Sequence, residues 1–264
     1  MNDIIGDQIK MYAKQLKLPA FCEYDDVIRQ ADTCSGFDAI LLELMKRETE
    51  RRNRSAMVKR FKQAGFPYEK TLDEFDMKEL SPNVSKDLIS ELASCKFINE
   101  HRNVIMVGNP GRGKTHLSIA LGMKACKEGY KVLFRNASTL STQLVEAKDT
   151  YILSRLQKYL ASADLLIIDE LSYISFNRHQ SELLFQVISD RTEKKSTIVT
   201  TNLMFSQWTE LFESDIMVNA LVDRLTYHSY VMNMNGRSYR LEKKLTKKKG
   251  TVDNTDPGSD KQTV

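Results

Sequence analysis

The octapeptide Gly108-Asn109-Pro110-Gly111-Arg112-Gly113-Lys114-Thr115 fits the pattern G-x-x-x-x-G-K-[ST]. Its surroundings fit as well. Residues 103–108 form a short apolar strand pattern before it, and residues 116–127 form a helical pattern after it. Gly108, Gly111 and Gly113 let the backbone turn tightly, so that successive N–H groups face phosphate oxygens. The helix starting near Lys114 adds the positive end of its dipole. Lys114 is placed to reach β- and γ-phosphates, and the Thr115 hydroxyl to ligate Mg²⁺. The expected nucleotide-contacting stretch therefore runs through Gly108, Asn109, Pro110, Gly111, Arg112, Gly113, Lys114 and Thr115 to His116. A helical residue at His116 can also simply face outward.

The next informative segment is Leu165-Leu166-Ile167-Ile168-Asp169-Glu170, an apolar strand ending in two carboxylates. Open α/β sheets bind ligands at the carboxyl ends of their strands. Asp169 is thus expected to hold the metal, and Glu170 to polarise an attacking water as general base. Thr200-Thr201-Asn202 ends another strand pattern, and Asn202 can hydrogen-bond both the γ-phosphate and that water. An arginine acting on a neighbouring subunit's nucleotide completes many such sites. Arg224 is the first candidate for this role and Arg191 the second; an acid precedes each of them.

Strand patterns at 103–108, 131–136, 165–169, 197–201 and 230–234 alternate with longer amphipathic stretches, which predicts a parallel sheet covered on both faces. Upstream, residues 1–66 read as a small all-α domain. Ile9, Tyr12, Ala13 and Leu16 recur at helical spacing before Pro19, and a long helix over 37–63 carries Ile40, Leu41, Leu44 and Met45 on one face. Residues 67–80 read as a linker, 81–241 as the nucleotide-binding core, and 242–264 as a basic and then disordered tail.

The chain has 264 residues, 41% apolar and 28% charged, enough for one sizeable core plus an appendage. Its longest apolar runs are five or six residues, against about 20 for a membrane helix. No basic-then-apolar leader opens the chain, and the four cysteines are widely spaced, which suits reduced thiols in the cytoplasm rather than zinc. The net charge is only +4, but eight bases face three acids between Glu43 and Lys62, and seven face one between Arg237 and Lys249. Basic flanks around an acidic body imply contact with a polyanion.

The order of phosphate loop, Leu-Leu-Ile-Ile-Asp-Glu, Ser-Thr-Ile-Val-Thr-Thr-Asn and Asp-Arg-Leu resembles the AAA+ ATPases of the initiator and helicase-loader clade. With Arg60-Phe-Lys-Gln-Ala-Gly-Phe-Pro67, Phe205-Ser-Gln-Trp208 and Gly236-Arg-Ser-Tyr-Arg240 added, it looks more closely like the IstB-like transposition helpers of insertion sequences. The resemblance implies an α/β P-loop NTPase core with a five-stranded parallel sheet, in which the Asn202 strand lies between the phosphate-loop strand and the acidic one. Few residues follow the last strand, so the C-terminal lid is expected to be truncated or absent. The resemblance further implies an ATPase using ATP and Mg²⁺ that forms a homo-oligomer on double-stranded DNA and assists a transposase, with a DnaC-like helicase loader as the alternative. Lys70, Leu72 and Phe75 would lie near the adenine. Residues 137–163 match the clade's helical insertion, whose Lys148, Arg155 and Lys158 would face DNA. Backbone phosphate contacts need no base specificity, so Arg51, Arg52, Arg54, Lys59 and Arg60 on the long helix are the first DNA surface, and residues 243–249 the second. A small-molecule kinase suits Glu170, Asn202 and Arg224 less well, since all three serve to activate water. A nucleotide-gated binding module that rarely turns over is the remaining reading.

Overall fold

The structure is a computed structural model describing residues 2–30, 36–75, 84–171, 176–212 and 214–235. The expected lid and tail, with Arg237, Arg240 and residues 242–264, lie outside the described residues, as do 76–80 of the linker. Two compact units divide the chain at Arg60/Phe61.

The first unit holds α1 (Asn2–Gln15), a 3-10 turn over Pro19–Glu23, α2 (Tyr24–Gln30) and most of α3 (Phe37–Ala64). Its small core comprises Ala13, Ala20, Val27 and Leu44. The buried Glu48 carboxylate ties the unit together. It accepts from the Ala20 N–H at 3.1 Å and from Arg52 Nε at 2.7 Å, while Arg52 Nη2 donates to the Lys17 carbonyl at 2.9 Å. The helical spacing of α1 was a sound guide to the helix but not to its buried face. Ala13 is inside, whereas Tyr12 and Leu16 are 57% and 66% exposed. α2 carried no distinct sequence signal.

The second unit begins within α3, because Phe61, Ala64 and Phe66 pack with the core around the sheet. It contains α4 (Lys86–Ala93), α5 (Lys96–Asn99), β1 (Asn103–Val107), α6 (Lys114–Lys127), β2 (Val132–Asn136), α7 (Ala137–Asp149) and α8 (Leu153–Ala161). These are followed by β3 (Leu165–Asp169), α9 (Arg178–Arg191), β4 (Ser196–Thr201), α10 (Asp215–Thr226) and β5 (Ser229–Asn233). The five strands are parallel in the order β2-β3-β4-β1-β5, with β4 between β1 and β3 as expected. Alternate side chains point to opposite faces. Ile105, Val107, Leu166, Ile168 and Val199 therefore join the cluster under α7, α9 and α10, and Val104, Met106, Leu165, Ile167 and Ile198 join the one under α4 and α6.

Arg191, at the end of α9, is 1% exposed. Its Nη1 donates to the carbonyls of Leu160 (2.7 Å) and Ala163 (3.0 Å), Nη2 to Ser196 O (2.7 Å) and Nε to Thr197 Oγ1 (3.3 Å). Burial holds its pKa down to about 10. The guanidinium thus joins α9 to the end of α8 and the start of β4, with its donors turned inward. Arg191→Ala strands those carbonyls in the core. At about 1–3 kcal/mol per stranded buried group, we expect a loss of about 3 kcal/mol or more, seen as a lower Tm in a thermal melt. A variant that melts with the wild type would refute the assignment.

Candidate functional site

The site lies at the carboxyl ends of β1, β3 and β4. Between β1 and α6 the loop makes two close approaches that exclude a side chain. Gly108 has φ +156°, and a Cβ there would come within 2.5 Å of the Met234 backbone; Gly113 has φ +78°, and its Cβ would meet Phe75 Cε2 at 2.8 Å. Both positions therefore require glycine.

Lys114 is buried at 7% exposure, and its ammonium is surrounded by oxygen. It donates to Gly108 O (2.5 Å), Asn109 O (2.9 Å) and Asn202 Oδ1 (2.6 Å). The loop lysine and the Asn at the end of β4, 88 residues apart in sequence, thus meet directly. Thr115 Oγ1 lies 3.1 Å from Asp169 Oδ1, which also accepts from Thr200 Oγ1 at 2.6 Å. Burial pushes the Asp169 carboxyl above the usual carboxylate range, against the two hydroxyl donors, which pull it down. The Thr115 hydroxyl and the Asp169 carboxylate are hard oxygen donors. Mg²⁺ is usually bound through one or two carboxylates plus substrate phosphates, so this donor set fits it. Among the described residues no cluster of three His, Cys, Asp or Glu side chains could hold a metal unaided.

Glu170 has a left-handed φ of +60°. Its N–H donates to Thr200 Oγ1 at 2.9 Å, so Thr200 orients both acids at once. Its carboxylate accepts from Asn136 Nδ2 at 3.0 Å. Asn136 stands opposite Asp169 in the β2–β3 register, and its Oδ1 also caps α7 by accepting from the Ser138 N–H at 3.0 Å. Neither Asn136 nor Thr200 was singled out from sequence as an organiser of the acids. The available signal for Asn136 was a polar residue closing a strand and opening a helix.

A cleft of about 300 Å³ runs along the loop, lined by Tyr68, Lys70, Pro110 to His116, Glu170 and Thr200 to Asn202. Tyr68 is a further lining residue missed from sequence. His116 lies in the cleft rather than facing away. Its Nε2 donates to Thr71 O at 3.0 Å, and its ring meets Phe75 edge-on at 5.3 Å. Phe75 backs Gly113 and His116, and Leu72 packs into the neighbouring core.

Arg224 is half-buried on α10. Nη1 donates to Ala220 O at 3.1 Å, and the guanidinium lies 5.0 Å from the Phe185 ring centre; it does not line the cleft. Arg191 is enclosed by its own fold, as described above, and presents no donor at the surface. The basic side chains fall into two groups. Arg51, Arg52, Arg54 and Lys59 are exposed on α3, with Arg51 bonded to Glu23 at 3.0 Å and Arg60 half-buried. Lys148, Arg155 and Lys158 are exposed on α7 and α8.

Comparisons with known proteins agree with this geometry. A family model described as IstB-like ATP binding protein matches residues 11–247. An insertion sequence IS21 ATP-binding protein of Pseudomonas aeruginosa is 40% identical over 221 residues, covering 83% of this chain and 82% of its own length. The corresponding IS5376 protein of Geobacillus stearothermophilus is 34% identical over 246 residues, 92% of this chain and 98% of its own. Among solved structures, AMPPCP-bound DnaA from Aquifex aeolicus aligns with a TM-score of 0.55 at 19% identity; the match covers 73% of this chain and 58% of DnaA. DnaI gives a TM-score of 0.51 at 18% identity, over 64% of this chain and 90% of its own. At such identities the structural likeness carries the fold alone, the α/β P-loop core of AAA+ proteins. The sequence matches go further, and with a phosphate loop and acidic strand in the places just described, the chain belongs to the IstB-like ATP binding protein family.

Proposed function

We propose that this protein is a cytoplasmic ATPase that hydrolyses Mg-ATP, assembles as a homo-oligomer on double-stranded DNA and assists the transposase of its own insertion sequence. The observation that carries the reading is the meeting of Lys114, Asn202, Thr115, Asp169 and Glu170 at three adjacent strand ends. Relatives named as insertion-sequence ATP-binding proteins support transposition over helicase loading. Among the described residues no helix is long and apolar enough to cross a membrane.

In this reading the loop amides and Lys114 neutralise the β- and γ-phosphates, and Asn202, bonded to Lys114, senses the terminal one. Mg²⁺, held by Thr115 and Asp169, would supply charge neutralisation at the phosphate oxygens. Glu170 takes a proton from the attacking water. Its carboxylate is bonded to Asn136, so that bond must loosen for the base to turn to the water. Arg224, outside its own cleft, supplies the remaining positive charge to a neighbouring protomer.

Lys114→Ala should abolish the heat of Mg-ATP titration in calorimetry. Glu170→Gln should still bind, with turnover lower by roughly 10²- to 10⁴-fold. Unchanged turnover in Glu170→Gln would remove Glu170 as the base. Arg224→Ala should bind ATP and lose about 10³-fold or more in rate. Activity should return when it is mixed with Lys114→Ala subunits, and normal hydrolysis by Arg224→Ala alone would sink the shared-site model. Changing Arg51 and Arg54 together to Glu, with Arg52 kept because it holds the buried Glu48, should weaken duplex binding and flatten its salt dependence. If affinity holds in a fluorescence-anisotropy titration, α3 is not the DNA surface.

A further inference from the structure

Residues 66–75 form a strap that runs along α6 toward the phosphate loop, and α6 is shaped to receive it. Gly122 leaves room for the Phe66 ring, since a Cβ there would stand 2.9 Å from Phe66 Cε1. The Lys70 N–H donates to Met123 Sδ at 3.2 Å, and His116 Nε2 donates to the Thr71 carbonyl at 3.0 Å. A turn closed by the Phe75 N–H on Leu72 O, at 3.1 Å, then brings the Phe75 ring to Gly113 and to the edge of His116. Gly113, His116 and Met123 are spaced by three and seven residues, which is one face of a helix. Lys70 Nζ braces the strap itself through Glu74 at 3.0 Å.

This strap supplies Tyr68 and Lys70 to the lining of the cleft. Tyr68 is 47% exposed, so much of a large ring stays uncovered beside the phosphate loop. His116 belongs to both parts of the cleft. Its backbone lies in the first turn of α6, ahead of the first helical bond, from the Leu117 N–H to Gly113 O at 2.8 Å. Amides in that position serve an anion at the helix N-terminus. Its ring reaches the strap. A neutral imidazole carries one N–H, and here that proton is used on Thr71 O rather than on a phosphate oxygen.

We propose that His116 is a positioning residue for the nucleobase. Through Thr71 it holds residues 68–71 against α6, so that the Tyr68 ring covers the base of a nucleotide whose phosphates lie in the loop. The cleft then selects a nucleoside triphosphate over a bare polyphosphate. This rests on the ATP-binding reading above and adds to it a residue that acts through the strap.

The test compares Mg-ATP with Mg-tripolyphosphate, each titrated into the full chain by calorimetry. Wild type should bind ATP the more tightly. His116→Ala should lose roughly 2- to 10-fold in ATP affinity, the range for one such hydrogen bond, and hold tripolyphosphate as before. Tyr68→Leu should show the same split, with roughly 5- to 100-fold lost for ATP, the range for one base–aromatic contact. Adding His116→Ala to Tyr68→Leu should cost little more, because both act through one contact. His116→Gln, whose Nε2 can donate to Thr71 O, should recover most of the ATP affinity. Equal losses for the two ligands in His116→Ala would make His116 part of the phosphate loop and overturn the proposal. Unchanged ATP affinity in that variant would overturn it too, with ATP binding left standing. If wild type binds neither ligand, both readings fall.

Discussion

An ammonium ion at 7% exposure must be met by oxygen on every side, and satisfying Lys114 organises the end of the sheet where the phosphate loop lies. Two of the oxygens it meets are carbonyls of the loop it belongs to, and a third is that of the Asn202 side chain at the end of β4. That third bond requires β4 to lie directly beside β1, as the sheet order provides. With β4 there, its other neighbour is β3, so Thr200 reaches Asp169 and the backbone of Glu170. Strand order, loop conformation and the placement of both acids are therefore linked through one buried charge.

The parts legible in sequence are those whose chemistry is local. The glycines and Lys114 specify a loop by themselves, and an apolar strand ending in Asp169 and Glu170 announces a buried strand with acids at its carboxyl end. Asn136, Tyr68 and Thr200 are different, because their importance arises from register and from segments remote in sequence. Nothing near Asn136 says that β2 will pair with β3 so that it faces Asp169. Helical periodicity likewise identified α1 without showing that Tyr12 and Leu16 would stay exposed, since burial depends on what packs against the helix.

Arg191 and Arg224 show the same limit. Each follows an acid in a helix, and although the sequence ranks Arg224 first and Arg191 second, it does not show which of them is buried. In the fold, Arg191 meets carbonyls 31, 28 and 5 residues away and is sealed into the core. Arg224 keeps its guanidinium on an aromatic ring at the half-exposed face of α10. Tertiary structure assigns one to holding the protein together and leaves the other where a second molecule can meet it.

Asn136 has one carboxamide and two obligations. Its oxygen closes the first turn of α7 while its nitrogen holds the Glu170 carboxylate. The side chain cannot rotate to release one without disturbing the other. The start of α7 and the Glu170 carboxylate are thus joined through one side chain, with no further residue in between.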